Sequence, residues 1–332
     1  MSGHASLAEG GPDSIRATVG VEGVVAAPGE RATGVVEVDL GLVTVGVPVV
    51  VVNGARPGPR VGITPGIPGA EYVSIAALRR VVLGVDPADV TGSIAASIVS
   101  NPAAFAARSI YVDPLDGRNL NRAFPGDPAG GPTDRLAEWL YTRIIGPSDR
   151  FIDMHCGDMN EALVPFVGME EIGDAAIDTV TRRMAEAYGL DHIVLGPSPG
   201  TTTTTAARAG IAAILAEVGG QGRWPEEEVA LHAAGLRRAL HAAGVLPEPG
   251  AGPRGESVVH AEDVWLRSDA TGFWHPAVGV GERVEAGQRV GEVQDAFGSV
   301  LRTVDAPVDG VVLFLVTSLA MNAGDPLLAI AR

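Results

Sequence analysis

The sequence contains no lysine, because all 24 basic residues among its 332 residues are arginine. A chain without lysine cannot form a Schiff base with a carbonyl substrate or with pyridoxal phosphate. It also cannot carry lysine-linked biotin or lipoate, and it lacks the lysine of a GxxxxGK phosphate-binding loop. These absences exclude several large enzyme classes before any motif is considered.

Cysteine and long hydrophobic runs are also scarce. The single cysteine, Cys156, excludes an internal disulfide and a CxxC zinc motif. The longest apolar stretch, residues 43–52, is interrupted by Gly46 and Pro48 and is too short to span a bilayer. The first residues have neither the basic nor the apolar region of a signal peptide. We therefore expect a soluble protein of the cytoplasm.

Basic residues are also fewer than acidic residues. Forty acidic residues against 24 basic ones give a net charge of −16. A surface this acidic repels phosphate backbones and anionic membranes, so we expect no nucleic-acid or membrane partner. The 46% hydrophobic content supports a substantial core. The expected partner is a small molecule. The sequence does not decide whether the protein forms a homo-oligomer.

Apolar spacing along the chain predicts alternating strands and helices. The predicted strands are 36–40, 44–52, 60–64, 91–99, 150–155, 193–195 and 211–218, and the predicted helices are 72–82, 133–145, 175–188 and 226–243. This alternation favours an α/β layered core. Residues 101–132 form a long polar loop of the kind that often carries function. Residues 201–205 could line a pocket with hydroxyl groups or form a β-prone loop, and the loop is the favoured interpretation.

Composition divides the chain into three parts. Residues 1–15 are predicted to be a flexible tail, 16–250 the α/β domain and 255–332 a small all-β domain. Short β runs with glycine turns in the last part look like halves of a biotinyl/lipoyl-type barrel-sandwich fold. Without lysine this domain cannot carry a swinging arm, so a packing or lid role is expected.

Three patches near predicted strand ends could carry chemistry. Glu71 stands at a strand-to-helix turn, where an acid is also favoured by the helix dipole. The stretch 116–122 contains two arginines and two asparagines, which suit a carboxylate clamp or a solvated turn. His155 ends a hydrophobic strand two residues after Asp153, an arrangement typical of a metal ligand with its supporting acid or of a structural histidine.

A fourth candidate is Glu217, at the end of a buried strand. A buried acid is unfavourable unless it is paired or has a function.

In order and spacing, these patches resemble the succinylglutamate desuccinylase/aspartoacylase family, a branch of the M14-like zinc-carboxypeptidase fold. The resemblance runs through NGARPGPRVGITPGIPGAEYVSIAAL, NPAAFAARSIYVDPLDGRNLNRAFPG, FIDMHCG, AEVGG and the β tail. It implies a mixed sheet flanked by helices, one catalytic zinc, and hydrolysis of the amide bond of an N-acylated amino acid or similar small carboxylate.

The resemblance also implies roles for individual residues. Glu71 and His155 match two zinc ligands, and Glu217 matches the general base that activates the metal-bound water. Asn121 and Arg122 match the pair that binds the substrate carboxylate and polarises the scissile carbonyl.

A weaker alignment suggests Arg108 as a further substrate-binding residue.

The sequence departs from the family pattern at its first metal ligand. Where the family has His-Gly-x-Glu, this chain has Pro68-Gly69-Ala70-Glu71, and proline has no ligating atom. A catalytic zinc normally has three protein ligands. Cys156 adjoins His155 but should point to the opposite face of the strand, and Asp158 could substitute only if its turn curls back.

Three functions therefore remain open on sequence grounds. The first is a deacylase with a weakened or rebuilt metal site. The second is a metal-independent enzyme on the same scaffold that catalyses elimination, isomerisation or acyl transfer on a carboxylate substrate. The third is a non-catalytic binding homologue.

Overall fold

A computed structural model describes residues 17–250 and 255–332, so the predicted tail at 1–15 lies outside the described residues. The strands up to the linker and just beyond it are β1 (Val19–Val21), β2 (Val24–Ala26), β3 (Glu30–Asp39), β4 (Thr44–Asn53), β5 (Arg56–Pro65), β6 (Thr91–Ser97), β7 (Arg150–His155), β8 (Glu161–Leu163), β9 (Phe166–Met169), β10 (His192–Leu195), β11 (Ala212–Glu217) and β12 (Val258–His260). The α-helices are α1 (Tyr72–Gly84), α2 (Pro102–Ala107), α3 (Pro132–Leu140), α4 (Ala175–Tyr188), α5 (Thr202–Arg208) and α6 (Glu226–Ala242).

Nine strands form one mixed sheet in the order β12-β10-β9-β11-β7-β5-β6-β4-β3. Its centre is parallel, since β11, β7, β5 and β6 run in the same direction, whereas β9 is antiparallel to β11 and β4 to β6. Within β4, Val50 and Val52 join one hydrophobic cluster and Val49 and Val51 another. Because neighbouring side chains of a strand point to opposite faces, both faces of the sheet are buried.

Helices cover both faces of this sheet. The first cluster contains residues of α1, α4 and α6, and the second contains residues of α3 and α5. Helix α4 shows clear end signals, because the Asp174 side chain accepts hydrogen bonds from the backbone N–H groups of Ala176 and Ile177 and Gly189 ends the helix at φ 74°. The predicted mixed sheet flanked by helices is confirmed.

The C-terminal part is a small β domain, as expected. Its strands are β13 (Asp263–Arg267), β14 (Gly272–Pro276), β15 (Arg283–Val284), β16 (Arg289–Gln294), β17 (Val300–Asp305), β18 (Gly310–Val316), β19 (Ala320–Met321) and β20 (Pro326–Ala331). One sheet has the order β13-β20-β18-β15 and the other β17-β16-β14-β19.

Two strand pairings join the β domain to the rest of the molecule. Strand β12, which follows the linker, extends the large sheet by pairing with β10, and β8 of the catalytic part pairs with β18. Hydrogen-bonded strand pairs therefore connect the residues on the two sides of the predicted boundary at residue 255.

Two local expectations need correction. Residues 202–208 form helix α5 rather than a β-prone loop, because the Thr201 hydroxyl caps the helix by accepting a hydrogen bond from the backbone N–H of Thr204. The polar stretch 101–132 contains helix α2 and a 3-10 turn at Leu120–Arg122.

Candidate active site

The sheet brings most of the predicted site residues together. His155 is the last residue of β7 and Glu217 the last residue of β11, and the parallel register of these strands places them side by side. Glu71 immediately precedes α1, after the turn that leaves β5, and Asn121 and Arg122 lie in the 3-10 turn. All five residues line one cavity of about 230 Å³. The carboxyl ends of parallel strands are where α/β folds usually place their ligand sites.

His155 lies between two carboxylates. Its Nδ1 atom is 3.1 Å from Oε1 of Glu71, and its Nε2 atom is 2.8 Å from Oδ2 of Asp153. The side chain is buried, which disfavours the imidazolium, but the charges of Asp153 and Glu71 raise the pKa of His155 well above its usual value. The contact with Asp153 is the one expected from the D-x-H spacing.

Asp153 is held by three partners at once. Besides His155, its carboxylate accepts hydrogen bonds from the Thr64 hydroxyl at 2.7 Å and from the Thr202 hydroxyl of α5. The side chain has no solvent exposure. A buried carboxylate with this many donors fixes the orientation of the imidazole ring, and it also connects α5 to the centre of the sheet.

Asn121 contacts other groups of the protein, which the resemblance did not imply. Its Oδ1 atom accepts a hydrogen bond from the backbone N–H of Thr202 at 3.1 Å, and its Nδ2 atom is 3.4 Å from Nε2 of His155. The amide therefore bridges the 3-10 turn, α5 and the histidine. These contacts assign Asn121 a positioning role in addition to any contact with substrate.

Glu217 and Glu71 are carboxylic groups in a water-poor environment. Burial raises the pKa of Glu217 to about 8, helped by the charges of Glu71 and Glu161. Burial likewise raises the pKa of Glu71 to about 7, although His155 counteracts this shift. The Oε2 atom of Glu217 is buried and has no hydrogen-bond partner within the described part of the chain. An unsatisfied carboxylate oxygen in a cavity is well placed to exchange a proton with a bound molecule.

The two predicted arginines have different surroundings. Arg122 lines the cavity, and burial together with the positive charge of Arg267 lowers its pKa. Its Nη1 atom donates a hydrogen bond to the carbonyl oxygen of Asn121 at 2.7 Å, which orients the guanidinium. Arg108 ends α2 in a left-handed conformation, its side chain is exposed, and it is absent from the lining of this cavity.

The donor atoms do not fit a three-ligand zinc centre. Pro68, which the sequence resemblance aligns with a histidine ligand, lines the cavity and has no ligating atom. Cys156 lines the cavity as well as packing in the hydrophobic core, and burial raises the pKa of its thiol, which disfavours the thiolate that a metal requires. Asp158 already accepts hydrogen bonds from the backbone N–H groups of Tyr111 and Met159. Within residues 17–250 and 255–332, no group of three or more His, Cys, Asp and Glu side chains could hold a metal ion.

Two segments for which the sequence left a role open, the threonines at 201–205 and the β domain, also form part of the cavity wall. The β domain contributes Trp265 and Phe314, and the loop before α5 and its first turn contribute Thr201, Thr203 and Thr204. The threonines had a sequence signal, since a Thr run before an alanine-rich stretch is a typical helix start. The β-domain residues had none, because no local pattern indicates which distant domain will cover a sheet edge.

The fold and the site together define the class of this protein. Residues 57–243 match the succinylglutamate desuccinylase/aspartoacylase catalytic domain, and the chain belongs to this family. The expected enzyme class, a hydrolase of the deacylase type acting on non-peptide amide bonds, is confirmed at this level.

Individual relatives extend this comparison over nearly the whole chain. The N-alpha-acetyl-L-2,4-diaminobutyric acid deacetylase of Halomonas elongata is 29% identical over 303 residues, covering 86% of this chain and 85% of its own. A succinylglutamate desuccinylase/aspartoacylase from Rhodobacter sphaeroides has a TM-score of 0.80 and 28% identity, covering 91% and 95% of the two chains. The product-bound ectoine utilization protein EutE of Ruegeria pomeroyi has a TM-score of 0.81, 24% identity and the same coverage, and supports the fold.

No helix in the described residues is both long enough and apolar enough to cross a membrane.

Proposed function

We propose that this protein hydrolyses the amide bond of a small N-acylated amino acid. The observation that carries the proposal is the buried, unpartnered Oε2 atom of Glu217 in a cavity that also contains the guanidinium of Arg122. A proton acceptor and an anion-binding group in one enclosed space suit water addition to the carbonyl of a substrate that bears a carboxylate. The Halomonas relative, named as a deacetylase of an N-acetylated amino acid, supports the same reaction.

Two residues of the chain bind the anion and transfer the proton in this reaction. Arg122 binds an oxygen anion, either the substrate carboxylate or the oxyanion that forms when water adds to the carbonyl. Glu217 takes a proton from the attacking water and returns it to the leaving amine, so that an acid and a free amine result. Its pKa of about 8 is close to ambient pH, where one group can both accept and donate a proton.

A second candidate function is metal-independent elimination, isomerisation or acyl transfer on the same scaffold. The specific observation in its favour is the donor set, since Pro68 has no ligating atom and the described residues contain no group of three or more His, Cys, Asp and Glu side chains that could hold a metal ion. The two candidates differ in their products, because hydrolysis alone releases the free acid and the free amine in equal amounts.

The direct test is to measure acid and amine release from a panel of N-acetyl and N-succinyl amino acids, with and without added zinc. We expect Glu217→Gln to lower the rate by about 10²- to 10⁴-fold, because it removes the proton acceptor but keeps the shape of the side chain. Glu227→Gln, on the exposed side of α6, serves as the matched control. No equimolar release from any substrate, or full activity in Glu217→Gln, contradicts the proposal.

A further inference from the structure

The cavity continues beyond Glu217 along the face of the large sheet. On β9, Phe166 and Gly168 line it at alternate positions, and Glu170 follows at the next alternate position just after the strand. A Cβ atom added at Gly168 would meet only Leu215 within 4 Å, at 3.7 Å. The absence of a side chain at Gly168 therefore leaves open space in the cavity between the large sheet and the β domain.

The β domain forms the opposite wall. Asp263 and Trp265, at alternate positions of β13, both line the cavity. The indole Nε1–H donates a hydrogen bond to Oδ2 of Asp263 at 2.6 Å, and the indole packs against Phe314 with ring centroids 4.7 Å apart. These contacts hold Trp265 in a defined position as an aromatic wall next to a carboxylate.

The cavity is lined by more acidic than basic side chains. Among the described residues that line it, Arg122 and His155 are basic, and Glu71, Glu161, Glu170, Glu217 and Asp263 are acidic. Burial raises the pKa of Glu71 to about 7 and the pKa of Glu161 and Glu217 to about 8, so the pocket is assigned to the other two acids, Glu170 and Asp263. The Oε2 atom of Glu170 is buried and has no hydrogen-bond partner in the described chain. An aromatic ring and unsatisfied carboxylates around one space form an environment that favours an ammonium group and repels a second anion.

We propose that the β domain completes the specificity pocket, with Trp265, Asp263 and Glu170 binding a protonated amine on the side chain of the substrate. This inference rests on the proposed function and adds the substrate class: an N-acyl amino acid with a cationic side chain. Trp265 offers its π system, Asp263 and Glu170 offer carboxylate oxygens, and Arg122 holds the anion elsewhere in the same cavity. Substrates with a second carboxylate are disfavoured by the same acids.

Three N-acetyl amino acids of similar size provide the test. Nα-acetyl-L-2,4-diaminobutyrate has a cationic side chain, Nα-acetyl-L-norvaline is its uncharged near-isostere, and Nα-acetyl-L-aspartate is anionic. Equilibrium binding is measured by calorimetry on the full chain carrying Glu217→Gln, which slows turnover enough for the ligand to remain intact during the titration. We expect the cationic ligand to bind about tenfold or more tightly than the norvaline derivative, and the aspartate derivative to bind most weakly.

Variants assign this preference to the proposed residues. Trp265→Leu, Asp263→Asn and Glu170→Gln should each reduce the preference for the cationic ligand over the uncharged one, while Trp265→Phe should retain part of it. Phe297→Leu, at an exposed position of the same domain, is the matched control and should leave the preference unchanged. The isosteric Asp263→Asn and Glu170→Gln variants remain informative if Trp265→Leu fails to fold.

The inference is wrong if the cationic and uncharged ligands bind equally, if none of the three binds, or if the preference survives in Trp265→Leu and Asp263→Asn. The proposed function has its own readout, which is acid release by the wild-type protein. Hydrolysis without a cationic preference would leave the proposed function standing and overturn only the pocket assignment. A cationic preference without hydrolysis would do the reverse.

Discussion

At the scale of single residues, position 68 changes the chemistry available to this site. Glu71 and His155 lie 3.1 Å apart between Oε1 and Nδ1, while Pro68 borders the same cavity without a donor atom. The acid and the histidine are hydrogen-bonded to each other. The polar side chains of the site thus form an arrangement that is closed by hydrogen bonds.

Replacing Pro68 with histidine should restore a third ligand. We expect Pro68→His to bind zinc at least about tenfold more tightly than the wild-type protein, because catalytic zinc sites are held by three protein ligands. Competition with a chromophoric chelator measures this affinity directly. Pro68→Ala is the control, since it removes the proline ring without adding a donor. Equal affinities in the two variants would show that Glu71 and His155 are not poised as ligands.

Glu161 should make stability depend on pH. Burial raises its pKa in the folded protein from 4.5 to about 8. Between these pH values the folded state keeps a proton that the unfolded state has released. The stabilisation from this group is therefore complete below about pH 4.5 and is lost as the pH rises through about 8.

Glu161→Gln, which cannot titrate, should reduce the loss of stability between pH 5 and pH 8. The difference should be on the order of a few kcal/mol at most, because a tenfold change in proton affinity between the two states corresponds to about 1.36 kcal/mol. Urea unfolding at several pH values measures it. Glu227→Gln, at an exposed position, should leave the pH profile as in the wild type. A wild-type slope in Glu161→Gln would contradict the assignment.

At the scale of elements, helix α5 supports the site from one side. Thr202, its first residue, donates its hydroxyl hydrogen to Asp153 and its backbone N–H to Asn121. One helix end thus holds both the acid that orients His155 and the amide next to it. The predicted β-prone loop could not have done this, because only the helical turn directs the backbone N–H and the hydroxyl of one residue toward two partners.

Thr202→Val should destabilise the protein by about 1–3 kcal/mol, because it leaves a buried carboxylate of Asp153 short of one donor. Thr202→Ser, which keeps the hydroxyl, should recover most of this loss. Chemical denaturation of both variants measures the free energy of unfolding. A neutral Thr202→Val together with a destabilised Thr202→Ser would mean that the methyl group, rather than the hydrogen bond, carries the contribution of Thr202.

At the scale of the whole molecule, the β domain and the catalytic domain share hydrogen-bonded sheets. Strand β12 pairs with β10 of the large sheet, and β8 pairs with β18 of the small domain. Opening either pairing would break backbone hydrogen bonds and expose Phe314 and Leu313, which line the cavity. The two parts differ in composition but are coupled in structure.

This coupling predicts one thermal transition for the full chain. Differential scanning calorimetry should give a calorimetric enthalpy equal to the van't Hoff enthalpy, because neither part can unfold without breaking sheet pairings of the other. Two resolved transitions would show that the β domain unfolds independently of the catalytic domain.

The sequence by itself determined the fold class and most elements. Helix 175–188 was predicted with its observed bounds, because the Asp174 cap and Gly189 are local signals next to a clear apolar period. The strands that carry His155 and Glu217 were also predictable, since buried strands are continuous apolar runs that end at polar residues. Glu71 and Arg122 were singled out by the resemblance of short motifs to the family pattern, and both line the cavity.

Only the tertiary structure decided which residues surround the reacting groups. The bonds of Asp153 to Thr64 and Thr202, and the placement of Trp265 against the cavity, join residues that are far apart in sequence. Each depends on the register of a sheet or on the docking of one domain against another. These are set by the packing of the whole core, so no local sequence pattern can encode them, whereas helix caps, strand ends and ligand spacing depend on a few adjacent residues.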